Sequence, residues 1–219
     1  MLLAATLRPS DAAEPAFASG VADSCQVPVW ERCMSRNGDW IERLGRADVE
    51  TFRFADDGLV PNSTLRLVIY RNALDLARAE DPAALFEAAF RANGWSGCWR
   101  NGIYPYRHYH STSHEALGVA RGRAMIELGG ERGRVLAFEA GDAVVIPAGV
   151  AHRRVDASDD FLVVGAYPGG RDWDLLRDTP QDRAKALENL PKVPLPDSDP
   201  LYGKAGPLPE HWFADMPRE

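Results

Sequence analysis

The chain has 219 residues, a formal charge of −7, 45% hydrophobic and 26% charged residues, the balance of one globular domain with extensions and enough length to bury a substantial core. The negative charge leaves no basic footprint for phosphate and excludes a nucleic-acid partner; no polybasic segment would hold an anionic membrane, and no apolar run has the length of a membrane span. Cys25, Cys33 and Cys98 are odd in number and widely spaced, which is no disulfide framework and fits a reducing cytoplasm.

MLLAATLRPS is apolar for seven residues before Arg8-Pro9 and has no basic start, a poor signal peptide. Residues 1–47 show no clear period and read as an arm, its first 24 residues dominated by Ala, Ser, Pro and Gly, with Val27-Pro28-Val29-Trp30 and Trp40-Ile41 as anchors that could dock. The domain is expected over 48–219. Glu50 to Phe54 alternates polar and apolar before Asp56-Asp57-Gly58, and Leu65 to Tyr70 is a second strand. A helix is predicted over 82–93, with Asp81 as N-cap, Pro82 in the first turn, Leu85, Phe86, Ala89 and Phe90 on one face, and Asn93-Gly94 as the stop. Residues 99–167 read as short strands near 103–110, 115–121, 123–128, 134–138, 143–147, 151–155 and 160–167, broken by Gly and Asp turns, the pattern of a β sandwich or barrel. Trp95 and Trp99 read as core packing at its start. A further helix is predicted near 180–189. The proline-rich tail, with Leu195, Leu201, Tyr202, Leu208, Trp212 and Phe213 as apolar anchors, reads as an extended segment wrapped on the barrel over 171–219.

Two segments carry the chemistry. The first is Gly102, five residues, His108-Tyr109-His110, four residues, Glu115, six residues, Gly122; the second is Gly141, five residues, Pro147-Ala148-Gly149, two residues, His152. Alternation turns His108 and His110 to one face, with Tyr104 and Tyr106 beside them. Glu115 shares parity with Leu117 and Val119 and so points inward, where a carboxylate needs a partner. Pro147 and Gly149 shape the turn that brings His152 to the first pair. Three imidazoles and one carboxylate suit a divalent transition metal (Fe, Mn, Ni, Cu or Zn), leaving open positions and one net positive charge. A shorter spacing would put His114 in the place of Glu115; parity favours Glu115 and leaves His114 at the rim or behind the ligands. Tyr104, Tyr106 and Arg154, which shares the parity of His152, are the candidate substrate contacts, and Glu115 and Tyr106 the candidates for moving a proton. Ser111, Thr112 and Ser113 form a loop after the ligand pair that reads as ordinary turn chemistry.

These two segments resemble the paired signature motifs of the cupin superfamily, the second ending on Asp156 where the motif usually has asparagine. The resemblance implies an all-β fold, a double-stranded β-helix or jelly-roll barrel with a few peripheral helices and an extended C-terminal segment. It also implies a metal held inside by His108, His110, Glu115 and His152. NGIYPYRHYHSTSHEALGVARGRA, SDDFLVVGAYPGGRDWDL and VPLPDSDPLYG are further similar to the bacterial cupins labelled YjlB, from about Glu50 to Trp212. The expected activity is a metal-dependent oxidoreductase of the dioxygenase kind on a small oxygenated or acidic metabolite. A metal-dependent isomerase, lyase or decarboxylase, and a non-catalytic metabolite-binding cupin, stay open beside it. A homodimer is expected, because a jelly roll leaves sheet edges to cover.

Overall fold

Alternating apolar residues build two antiparallel sheets in the computed structural model, which describes residues 39–213. The first residues of the arm, the leader-like start, the Val27–Trp30 anchor, Cys25 and Cys33 lie outside the described residues. The elements run α1 (Asp39–Arg43), β1 (Asp48–Phe54), β2 (Ser63–Arg71), α2 (Pro82–Ala92), β3 (Trp95–Asn101), β4 (Glu115–Arg121), β5 (Arg123–Leu128), β6 (Arg134–Glu139), β7 (Ala143–Ile146), β8 (His152–Ala157), β9 (Leu162–Pro168), α3 (Pro180–Asn189), a 3₁₀ turn (Leu190–Lys192) and α4 (Pro207–Phe213). Six strands make one sheet in the order β1-β2-β7-β4-β9-β3, and β6-β5-β8 make the other. This is the jelly-roll arrangement of antiparallel sheets packed on a shared core. No described helix is long and apolar enough to cross a membrane.

Strand parity decides what each sheet buries. Leu67, Ile69, Leu117, Val119, Val144, Ile146 and Val163 of the larger sheet meet Ala124, Ile126, Leu128 and Phe138 of the smaller. The alternate residues Val68, Tyr70, Ala116, Val145, Val164 and Ala166 face outward and are covered by Phe86 and Phe90 of α2 and by Leu201, Leu208 and Trp212 of the C-terminal segment. Each large side chain so buried contributes roughly 1.5–3 kcal/mol. With both faces covered, β7 is buried along its whole length. Gly118 admits α2 to this sheet, because a Cβ there would overlap the Phe86 ring.

α2 starts and stops where its caps dictate: Asp81 accepts from the Ala84 N–H at 3.3 Å, and Asn93 caps the C-terminus ahead of Gly94 at φ +80°. Trp40 of α1 is buried in the outer core, and Leu44 bridges to Leu74. The C-terminal segment is tied to the sheet by the buried Asp199 carboxylate. It accepts from the Tyr70 hydroxyl at 2.6 Å and from the N–H groups of Leu201, Tyr202 and Leu208.

Two expectations need correction. Residues 103–110 are not a regular strand; the strand of this region is Trp95–Asn101, paired to β9. Pro105 has no N–H to give a ladder, and the segment makes only single bridges, His108 to His152 and Tyr109 to Leu176. β3 escaped the sequence reading because it carries a bulge at Gly97, whose φ is +67°. The extra residue inverts parity, so Trp95 packs in the outer core and Trp99 in the inner one. The tail is also less extended than its prolines suggest, because Pro207 opens the short helix α4, a position where the missing N–H is no loss.

Candidate metal centre

The centre is assembled from the 103–110 segment, the start of β4 and the start of β8, at one end of the inner core. A pair of backbone hydrogen bonds between His108 and His152, at 3.2 and 2.9 Å, clamps the first and last of these together. Gly149 gives its N–H to the His110 carbonyl at 2.7 Å and sits at φ +91°, where its missing Cβ also clears the Asn62 carbonyl. His108, His110 and His152 are all buried, and one nitrogen from each lies within 4.8 Å of the others.

The outward nitrogens fix the inward ones. His108 Nδ1 meets the Tyr106 carbonyl at 3.1 Å and His152 Nδ1 the Val150 carbonyl at 3.5 Å. His110 Nδ1 meets the main-chain carbonyl of Asp174. A carbonyl only accepts, so the Nδ1 atoms of His108 and His110 carry protons there and leave each Nε2 turned to the centre, where a metal would compete with the proton that Glu115 draws to His110. Burial, with His152 alongside, pushes His108 down to about 3, which keeps its imidazole neutral and able to ligate. Burial also opposes charge on His110, but the Glu115 carboxylate outweighs it and raises His110.

Glu115 pairs with Ile146 across β4 and β7 and is 2% exposed. Its Oε1 accepts from the Tyr167 hydroxyl at 2.8 Å, and Tyr167 accepts from the Trp99 indole N–H at 2.9 Å. Its Oε2 is buried without a hydrogen-bond donor, 3.3 Å from His152 Nε2 and 3.5 Å from His110 Nε2. Burial alone would raise this carboxyl; the two imidazoles outweigh that and hold it below its usual range. A buried carboxylate oxygen without a donor is costly. Beside the His110 and His152 nitrogens, it adds a carboxylate to a three-histidine cluster that could hold a divalent transition metal, and these residue types fit one.

A cavity of about 240 Å³ opens over this set, lined by the three histidines, Glu115, Leu117, Tyr167, Trp99, Arg100, Asn101, Gly102, Ile103, Tyr104 and Trp173. Of the residues read from the sequence, the structure brings His108, His110, His152, Glu115 and Tyr104 together here. Tyr106 and Arg154 are not among the lining residues. The Tyr106 ring stacks on Tyr104 with centroids 4.8 Å apart and lies under the Arg177 guanidinium. Arg154 gives its backbone N–H to the Tyr104 carbonyl at 2.9 Å. His114 turns away from the centre: its Nδ1 accepts from the Ala148 N–H at 3.0 Å, its ring packs 4.7 Å from Trp212, and burial pushes it down to about 4.

Four residues of the surroundings were missed in the sequence. Tyr167 was legible, since it shares parity on β9 with the inward Val163. Trp99, expected to pack in the core, also donates its indole N–H to Tyr167. Trp173 and Asp174 lie on the loop after β9 and carry no spacing signal. The Asp174 carboxylate accepts from the Ser111 N–H and hydroxyl, both at 2.6 Å, and from the Thr112 N–H at 3.2 Å, so one residue pins both the loop after His110 and the His110 ring. Asn189 of α3 adds a bond to Ser111 at 2.9 Å.

The cupin domain model matches residues 100–164, the stretch that holds every residue of the donor set. The chain belongs to the cupin family. Among its relatives is the Bacillus subtilis (strain 168) protein described as "Uncharacterized protein YjlB", 43% identical over 166 residues, which cover 75% of this chain and 97% of that one. Solved structures with some likeness include acireductone dioxygenase from Bacillus anthracis with a cadmium ion in its active centre, 16% identical over 62% of this chain and 84% of that one, with a TM-score of 0.32. A cupin 2 domain-containing protein from Halorhodospira halophila is 16% identical over 65% and 77% of the two chains, with a TM-score of 0.29. Bacillus subtilis oxalate decarboxylase, with its Mn(II) centres, is 12% identical over 61% of this chain and 28% of that one, with a TM-score of 0.30. The match thus spans under a third of the decarboxylase chain.

Proposed function

We propose that this cupin is a metal-dependent oxidoreductase of the dioxygenase kind, acting on a small oxygenated metabolite. The observation that carries the reading is the buried cluster of His108, His110 and His152 in a small cavity, with the Glu115 Oε2 beside the Nε2 atoms of His110 and His152. A bound divalent transition metal would supply a Lewis-acid centre and, if redox-active, a route for dioxygen to react with a chelated substrate. The chain's own groups position and enclose. His108, His110, His152 and Glu115 would hold the ion, and Tyr167 fixes the rotation of the Glu115 carboxylate. Trp99, Ile103 and Leu117 keep water from the reacting edge.

The lining also bears on the class of reaction. Among the described residues Glu115 is its only carboxylate and no lysine lines it, so few of these side chains are available to shuttle protons by themselves. A reaction in which both atoms of dioxygen enter the product needs no such shuttle and no outside reductant. A second reading, a metal-dependent isomerase, lyase or decarboxylase, is favoured by one feature: the Tyr167 hydroxyl on Glu115 Oε1 is a proton in contact with the donor set.

The test is oxygen uptake by the iron-loaded protein with small hydroxy acids, diketones and phenols. One substrate consumed per dioxygen is the expected result. Turnover without oxygen uptake would favour the second reading, and binding without turnover under any metal would make the protein a metabolite-binding cupin.

A further inference from the structure

The geometry points to a substrate with a planar, conjugated body that carries its oxygen donors on one edge, an enol, phenol or catechol class, and no charged group elsewhere. This inference rests on the metal-dependent reading of the same cavity. Size comes first. An apolar cavity of about 150 Å³ takes up benzene, so about 240 Å³ admits one ring with substituents or a conjugated chain of similar bulk. A nucleotide or an oligosaccharide does not fit.

Charge comes next. Among the described residues the one cation in the lining, Arg100, is already held by Glu87 at 2.7 Å and Asp81 at 2.9 Å. A phosphate or a second carboxylate would therefore enter without a partner, at a large desolvation cost. Three neutral imidazoles and one carboxylate leave a divalent ion with a single net positive charge, which matches one enolate or phenolate oxygen.

Shape and polarity decide the body. Tyr104 and Trp173 line the opening and stay 45% and 40% exposed, although large rings are normally buried. Each is seated edge-on against a different histidine: Tyr104 is 5.2 Å from His108 and Trp173 is 4.9 Å from His110. Trp173 is further braced by stacking on Tyr167 at 5.7 Å. Two braced, exposed rings beside the ligand set offer flat faces to a flat molecule, at about 0.5–1.5 kcal/mol per ring contact. Two polar groups of the lining are already engaged: the Tyr167 hydroxyl by Glu115 and Trp99, and the Asn101 side-chain oxygen by the Gly102 N–H.

The experiment uses the full chain reconstituted with zinc, which carries out no redox chemistry, titrated with 4-nitrocatechol and with lactate by calorimetry and tryptophan fluorescence. 4-Nitrocatechol is expected to bind and to change the fluorescence. Trp173→Ala and Tyr104→Ala, compared with the parent at saturating zinc, should each weaken 4-nitrocatechol by about 2- to 10-fold and by more than they weaken lactate. Zinc-loaded variants that bind 4-nitrocatechol as well as the parent would overturn this inference alone, as would a parent that prefers lactate. A parent that takes up no zinc would overturn the metal reading and the inference with it.

Discussion

Tyr167 gives its hydroxyl proton to Glu115 Oε1 at 2.8 Å and takes the Trp99 indole proton at 2.9 Å. That chain leaves Oε2 alone to face the imidazoles, so Tyr167 is a positioning residue for the donor set. Groups that orient a metal ligand are typically worth 10- to 100-fold in metal affinity. Tyr167→Phe is therefore expected to lower zinc affinity by about that factor in a chelator competition, with an unchanged circular dichroism spectrum. The Co(II)-loaded variant should also show altered d–d bands, because Glu115 can then rotate; equal affinity and identical bands would mean that the tyrosine only packs. Gly165 belongs to the same device, since a Cβ there would overlap the Trp99 indole. Gly165→Ala should destabilise the fold by about 1–3 kcal/mol, read as a lower midpoint in denaturant, as the ring is displaced toward the cavity.

At the scale of elements, Glu127 of β5 ties three pieces of the small sheet's end together. It accepts from Arg107, ahead of His108, at 2.8 Å and from Arg153 of β8 at 2.7 Å, and Arg107 also reaches Asp178 at 2.9 Å. Burial would raise the Glu127 carboxyl, but the two guanidinium groups outweigh it and hold it low. A carboxyl lowered in the folded state stabilises the fold fully above its unfolded value of about 4.3 and loses that contribution as the pH falls through the folded value. The stability gap between the parent and Glu127→Gln should accordingly be constant near neutrality and shrink below about pH 4. A gap that does not vary with pH down to 3 would show that the ion pairs contribute nothing. The same elements show how far local pattern reaches. α2 was readable to within a residue because Asp81, Pro82 and Asn93-Gly94 mark its ends chemically. β4 to β9 were readable because glycine turns separate alternating runs. β3 was not, since the Gly97 bulge turns Trp95 and Trp99 to opposite faces and removes the alternation that a strand is recognised by.

Across the whole molecule, the two sheets close on one apolar core whose end is polar, and that end was the most legible part of the sequence. The spacing His108–His110–Glu115 and the turn before His152 are local patterns that the fold only has to bring together, which it does through one pair of backbone hydrogen bonds. The opposite holds for the walls. Trp173 and Asp174 reach the centre from a loop more than 60 residues away from His110, and no local period announces such a contact. Parity placed Arg154 on the face of His152, but a shared face does not say how far along the strand a cavity extends. Tyr106 failed to reach the lining for a different reason, since Tyr104 and Arg177 occupy both faces of its ring.

His108, His110, His152 and Glu115 are proposed to hold one transition metal. Elemental analysis of protein produced in metal-supplemented medium, set beside His108→Ala, His152→Ala and Glu115→Gln variants checked for fold by circular dichroism, tests it most directly. The parent is expected to carry about one ion per chain, and the folded histidine variants to lose most of it. Full metal occupancy in folded His108→Ala and His152→Ala, or a parent that takes up none of Mn, Fe, Co, Ni, Cu or Zn, would mean that these residues form no metal site.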